Sequence, residues 1–168
     1  MVKRLLFSKW AWLAAAVLLG IGGWIFWRQT PEAKIIAKVQ LLAESASRPA
    51  GQKTSLELWN LHRFRSLFAP QVQIQFRFHD LEGSHTPEEL GSLLMRFWKV
   101  TDFARFEASD IAVDFPEKDR ACAGFTGILK AKHRGKHVDE IRELQCHFQR
   151  MDDQWMITEI HVRNILEK

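Results

Sequence analysis

Hydrophobic and polar positions divide this chain into an uncharged run, three stretches of helical periodicity and a long tail of alternation. Pro31 suits a first helical turn, and behind it Ile35, Ile36, Val39, Leu42, Ala43 and Ala46 recur at helical spacing. Arg48, Pro49, Ala50 and Gly51 break that helix. The pattern predicts a second helix from about Ser55, a plausible cap, with Leu58, Leu61, His62, Arg65 and Phe68 toward one face and Pro70 as its stop. Val72, Ile74, Phe76 and Phe78 then alternate with Gln71, Gln73, Gln75 and Arg77, a half-buried strand over 71–79. A loop passes through Glu82, Gly83 and Ser84. Thr86, Pro87 and Glu89 combine a cap, a proline at the first helical position and a glutamate at the third. The helix they open turns Leu90, Leu93, Leu94, Phe97 and Trp98 inward and runs to about Val100.

Everything beyond Phe103 reads as strand: 106–115 closed by Pro116, then 120–132, 138–151 and 154–162. Two-residue turns at Arg134 with Gly135 and at Asp152 with Asp153 make these antiparallel hairpins. The register that sets apolar against apolar pairs Ala121 with Phe148, Ala123 with Cys146, Phe125 with Leu144, Phe148 with Ile157 and Arg150 with Trp155. One face is then apolar, and the three helices supply its cover. Cys122 falls on the polar face and Cys146 on the apolar one, so no disulfide between them is expected.

The uncharged run spans residues 10–27, closed by Lys9 and Arg28. At helical rise it reaches roughly 27 Å, close to a hydrocarbon core. Trp10 and Trp12 mark one end, Trp24 and Trp27 the other, where indole rings favour membrane interfaces. A cleaved signal peptide is the competing reading, but the small residues 14–16 lie inside the run and its exit is bulky. An uncleaved signal anchor over 1–28 is therefore expected, followed by one domain over 29–168. Lys3, Arg4 and Lys9 favour a cytoplasmic amino terminus, with the domain across the membrane; Arg28, Lys34 and Lys38 weaken the bias.

Composition changes the picture in three ways. The chain has 168 residues and a net charge of +4, yet three basic residues and no acid precede Arg28, which leaves the domain nearly neutral and without a broad nucleic-acid surface. Two cysteines exclude a disulfide-dense scaffold and four-cysteine zinc folds. Seven Trp and no Tyr is an unusual aromatic choice.

The helical pair over 31–68, the strand over 71–79, the helix over 86–100 and the ending Gln154, Trp155, Met156, Ile157, Thr158 resemble the nuclear-transport-factor-like superfamily, which includes SnoaL-like cyclases. The resemblance implies an α+β fold, here an N-terminal transmembrane helix followed by three helices packed on a curved antiparallel sheet, cone-like in form. It also implies an internal cavity and, in some members, a dimer formed through the open sheet face. An anchor ahead of such a domain is similar in layout to the bitopic inner-membrane component of type IV secretion machines.

Steroid-isomerase-type members of the superfamily need a tyrosine facing a carboxylate base, a set this chain cannot complete. A dehydratase-like pair remains open. His161, expected opposite Leu144 on the apolar face, is the best imidazole, with Glu159, Asp102 or Asp110 as its carboxylate. The alternative is a buried histidine bonded to a neighbour. Trp59, Trp98, Phe125, Phe148 and Trp155 are candidates to line a ligand cavity, or simply to pack. Lys130, Lys132, Arg134 and Lys136 make one hairpin tip basic, either a contact for anionic lipid or a solvated turn. His133 with His137, and His79 with His85, flank turns and loops without the helical geometry that would make a zinc pair, so no metal or cofactor is assigned.

The resulting expectation is a single-pass protein of a bacterial inner membrane with its domain in the periplasm, non-catalytic and assembling with a protein partner or a second copy. A small-molecule binder or SnoaL-like enzyme using an apolar cavity is the alternative.

Overall fold

The computed structural model describes residues 30–51, 53–76, 82–133 and 135–163. The expected anchor over 1–28 and Arg134 at the basic tip lie outside the described residues. One compact unit ends at Lys34 and a second runs from Ile35 onward. Among the described residues no helix is long and apolar enough to cross a membrane.

Helix α1, Pro31–Ala46, starts where Thr30 Oγ1 accepts the Ala33 N–H, and within the second unit it buries Ile35, Val39 and Ala46. The chain after it pairs with the sheet: the N–H and C=O of Arg48 bond those of Ala104 at 2.7 and 2.9 Å. Helix α2, Thr54–Arg65, differs from expectation. Lys53 is its N-cap, without a side-chain bond, so Ser55 sits inside the first turn. Leu61 is its one buried residue, and Leu58 points to solvent. The helix also stops before Pro70, which belongs to the next strand.

That strand, β1, is Phe68–Gln75, and the three-residue β2, Gly83–His85, pairs with it where the sequence suggested only a loop. Pro70 lies in the interval between Phe68 and Gln73 where the ladder to its neighbour slips, so its missing N–H breaks no regular bond. Helix α3, Pro87–Val100, has the complete capping box: Thr86 Oγ1 accepts the Glu89 N–H at 3.3 Å, and Glu89 Oε2 accepts the Thr86 N–H at 2.9 Å. Leu90, Leu94 and Trp98 are buried as the periodicity required.

Four long strands complete the sheet: β3 Phe103–Glu117, β4 Arg120–His133, β5 Lys136–Met151 and β6 Gln154–Arg163. Pro116 does not close β3. It sits in a register shift on the sheet's edge strand, where a proline is tolerated. The order is β2-β1-β6-β5-β4-β3, and every pairing is antiparallel except β1 with β6, which is parallel. All five register pairs expected from apolar matching are present. Both cysteines are free, on opposite faces. The main core joins Ile35 and Val39 of α1 to Phe125, Cys146, Phe148, Trp155 and Ile157 of the sheet. A smaller cluster gathers Ala46, Leu61, Leu94 and Trp98. Arg48 closes the end of that cluster: its Nη1 donates to the carbonyls of Trp98 and Thr101 at 2.8 and 3.0 Å, satisfying groups that the end of α3 leaves open, while Nε bonds Glu57 at 2.7 Å.

Candidate functional site

Strand alternation sends Phe125, Gly127 and Leu129 of β4, with Glu140, Arg142 and Leu144 of β5, toward the side that α1 covers. Between them and the helix lies a cavity of about 270 Å³, walled by Val39, Leu42, Ala43 and Ala46 of α1, by Phe106 and Ala108 of β3, and by Val162 of β6. Ala43, Ala46 and Ala108 keep the wall short, while at Gly127 the strand packs tightly: a Cβ there would come within 2.3 Å of Leu144 Cδ1. The polar groups are at the rim, where Arg142 Nη2 and Glu140 Oε2 stand 3.7 Å apart. Such a space takes a small apolar molecule and offers its polar end a guanidinium and a carboxylate.

Of the five aromatic candidates, Phe125 lines this cavity. Phe148 and Trp155 pack within the core, Trp155 edge-on to Phe115. Trp98 belongs to the smaller cluster, where its Nε1–H donates to the Ala46 carbonyl at 2.9 Å. Trp59 lies outside, 55% exposed beneath the Arg63 guanidinium. Asp102 and Asp110 are exposed and neither lines the cavity; Asp110 holds a positive φ of 53° in an irregular stretch of β3. At the basic tip Lys130 stands opposite Asp139 and Lys132 opposite His137, with Lys136 exposed.

His161 does not face the cavity. The β5–β6 ladder slips between His147 and Phe148, so that Phe148 pairs with Ile157 but His147 pairs with Glu159. Thr158 is the extra residue of the bulge. Beyond it every side chain changes face: Ile160 and Val162 turn inward, opposite Cys146 and Leu144, and His161 lands opposite Gln145 on the outer face. The odd spacing from Ile157 to Ile160 was the sequence signal for this slip. Three chemistry-bearing groups meet outside as a result. His147, Glu159 and His161 each offer a ligand atom, all within 4.8 Å of one another. His161 Nε2 is 2.7 Å from Glu159 Oε1, the two imidazole centroids are 5.1 Å apart, and Gln75 Nε2 donates to Glu159 Oε1 at 2.9 Å. Sequence reasoning missed this set, because His147 joins it only through the shifted ladder.

No family model matches the chain, and no curated protein matches it by sequence. Solved structures do match. A proposed aromatic ring hydroxylase from Novosphingobium aromaticivorans superposes with a TM-score of 0.68 at 12% identity, over 83% of this chain and 94% of that one. A proposed dehydratase of the nuclear-transport-factor-2-like family from Streptomyces avermitilis gives 0.62 at 15% identity, over 82% of this chain and all of that one. The association domain of the calcium/calmodulin-dependent kinase II of C. elegans gives 0.56 at 13% identity, over 77% and 92%. The fold is thus the nuclear-transport-factor-like α+β fold, the described residues forming three helices on a curved six-stranded sheet. That fold hosts unrelated activities, so function has to be argued from this chain's own sites.

Proposed function

We infer that the domain binds a small, largely apolar organic molecule in the cavity beneath α1. The observation that carries this reading is the cavity itself, about 270 Å³ and apolar to its rim, in a position where a protein built only to pack would have larger side chains than Ala43, Ala46 and Ala108. The ligand's polar end would meet Arg142 and Glu140. Neighbours of the same fold described as a dehydratase and a ring hydroxylase support an enzyme of this type as an extension, with Glu107, Glu140 and Arg142 as the ionisable side chains that line the cavity. The uncharged run over 10–27 would hold the domain at a bacterial inner membrane, on its periplasmic side.

Native mass spectrometry of the full chain, gently extracted from its own membrane, tests the reading. The expected result is a small-molecule adduct that denaturation releases. It should be lost in Ala43→Leu, which fills the space, and in Gly127→Ala, which drives Leu144 into it. An adduct that survives both substitutions, or none at all, overturns it. A second reading, contact with another protein, draws on Leu56, Leu58 and Trp59 of α2, exposed by 51, 59 and 55%. It predicts a co-purifying chain in the same spectra instead of a small adduct.

A further inference from the structure

We propose that His147, Glu159 and His161 on the outer face of the sheet form a binding site for a single divalent transition-metal ion of the zinc class. The site is built by register. His147 of β5 stands directly across from Glu159 of β6, and His161 follows Glu159 by two residues, so all three project from one face of the same ladder. Two imidazoles and one carboxylate form a donor set that zinc takes when it keeps positions open for water. Tetrahedral coordination at ordinary bond lengths sets donor atoms about 3.4 Å apart. Here the three ligand atoms lie within 4.8 Å of one another, with His161 Nε2 and Glu159 Oε1 at 2.7 Å, so small side-chain rotations that part this pair slightly are enough to reach that spacing.

Two further observations point to a ligand. His161 Nε2 is buried and 2.7 Å from Glu159 Oε1 without making an aligned hydrogen bond to it, which leaves a buried ligand nitrogen beside a carboxylate. Glu159 is also steadied from behind: Gln75 of β1, paired with His161 in the parallel ladder, donates to its Oε1, the kind of outer partner that orients a metal-binding carboxylate. Arg163, two residues beyond His161, donates from Nη2 to Gln145 Oε1 at 3.1 Å. Glu159 and His161 side chains are 30 and 26% exposed, which gives an ion and its waters a route in. The bulge at Thr158 is what brings the two β6 ligands to His147, and bulges recur where a strand must re-aim a side chain.

The test uses the full chain purified without a histidine tag and stripped with a chelator. Titration with zinc by calorimetry should give one ion per chain, and cobalt should show the visible absorption of a low-coordinate site. His147→Ala and His161→Ala should each weaken zinc binding by more than tenfold, and Gln75→Ala by about tenfold. The tip double variant His133→Ala with His137→Ala should bind as tightly as the parent. X-ray absorption on the zinc-loaded parent depends on no variant's folding and should show imidazole and oxygen donors without sulfur. Absence of stoichiometric binding, a sulfur-containing shell, or binding that persists without His147 and His161 would each overturn the proposal.

Discussion

Cys146 shows how the burial of one side chain makes stability depend on pH. It is fully buried on the helix side of β5, and that burial, reinforced by the charge of Cys122, pushes its thiol from 9.0 up to about 12. The unfolded chain loses this proton near pH 9 while the folded chain keeps it. Stability from this group is therefore complete below pH 9 and declines as pH rises toward 12. With no tyrosine in the sequence, fewer groups compete in that window. Urea unfolding at pH 8 and pH 10.5 should show the midpoint falling, and falling less in Cys146→Ala. In the folded protein an alkylating reagent should label Cys122, half-exposed on the other face, and reach Cys146 only after denaturant is added. Equal labelling of both thiols would mean that Cys146 is not buried as described. The facing of both cysteines was legible in the sequence, because apolar matching allows one hairpin register. The facing of His161 was not, because it depends on one extra residue between two matched stretches.

Among the elements, the hairpins were the most legible. Strand alternation and turn position together constrain a ladder tightly, and β4 to β6 follow it up to the bulge. The turn joining β5 and β6 is less than ideal. Asp152 and Asp153 both hold positive φ, 47° and 61°, the geometry of a tight hairpin turn that favours glycine at its second position. Asp153→Gly gives up an ion pair to Arg150 whose carboxylate is 89% exposed and so contributes little. Relief of the left-handed backbone outweighs it, and the variant should be more stable by up to about 1 kcal/mol in chemical denaturation. A loss of stability would assign the pair a larger role than its exposure allows. Helix α2 was the least legible element. Its apolar residues do not share one buried face, and Leu61 is the one that enters the core, so neither its cap nor its end followed from periodicity.

At the scale of the domain, the cavity under α1 links stability to function. If a ligand occupies it at about a hundred times its dissociation constant, mass action adds about 2.7 kcal/mol to the folded state. Stripping that ligand from the full chain should lower the melting temperature by roughly 5–10 °C. In Gly127→Ala, where Leu144 takes up the space, the extracted and stripped forms should melt together. A difference that persists in this variant would place the stabilising molecule elsewhere.

Sequence by itself determined α1 and α3, the existence though not the ends of α2, the four long strands, most of their register and the separation of the cysteines. Each is encoded locally, in the period of apolar residues, in caps and in turns, and so needs no knowledge of what lies across the fold. Tertiary structure alone decided three other features. It inserted β1 beside β6 in parallel, a pairing between segments more than eighty residues apart. It left a space lined by Ala43 and Ala46 of α1 and Ala108 of β3, small residues from separate elements. And it slipped the β5–β6 ladder at Thr158, carrying His161 away from the cavity to join His147 and Glu159. Cavities and clusters of this kind are sums over distant residues, and a one-residue slip reverses every side chain beyond it.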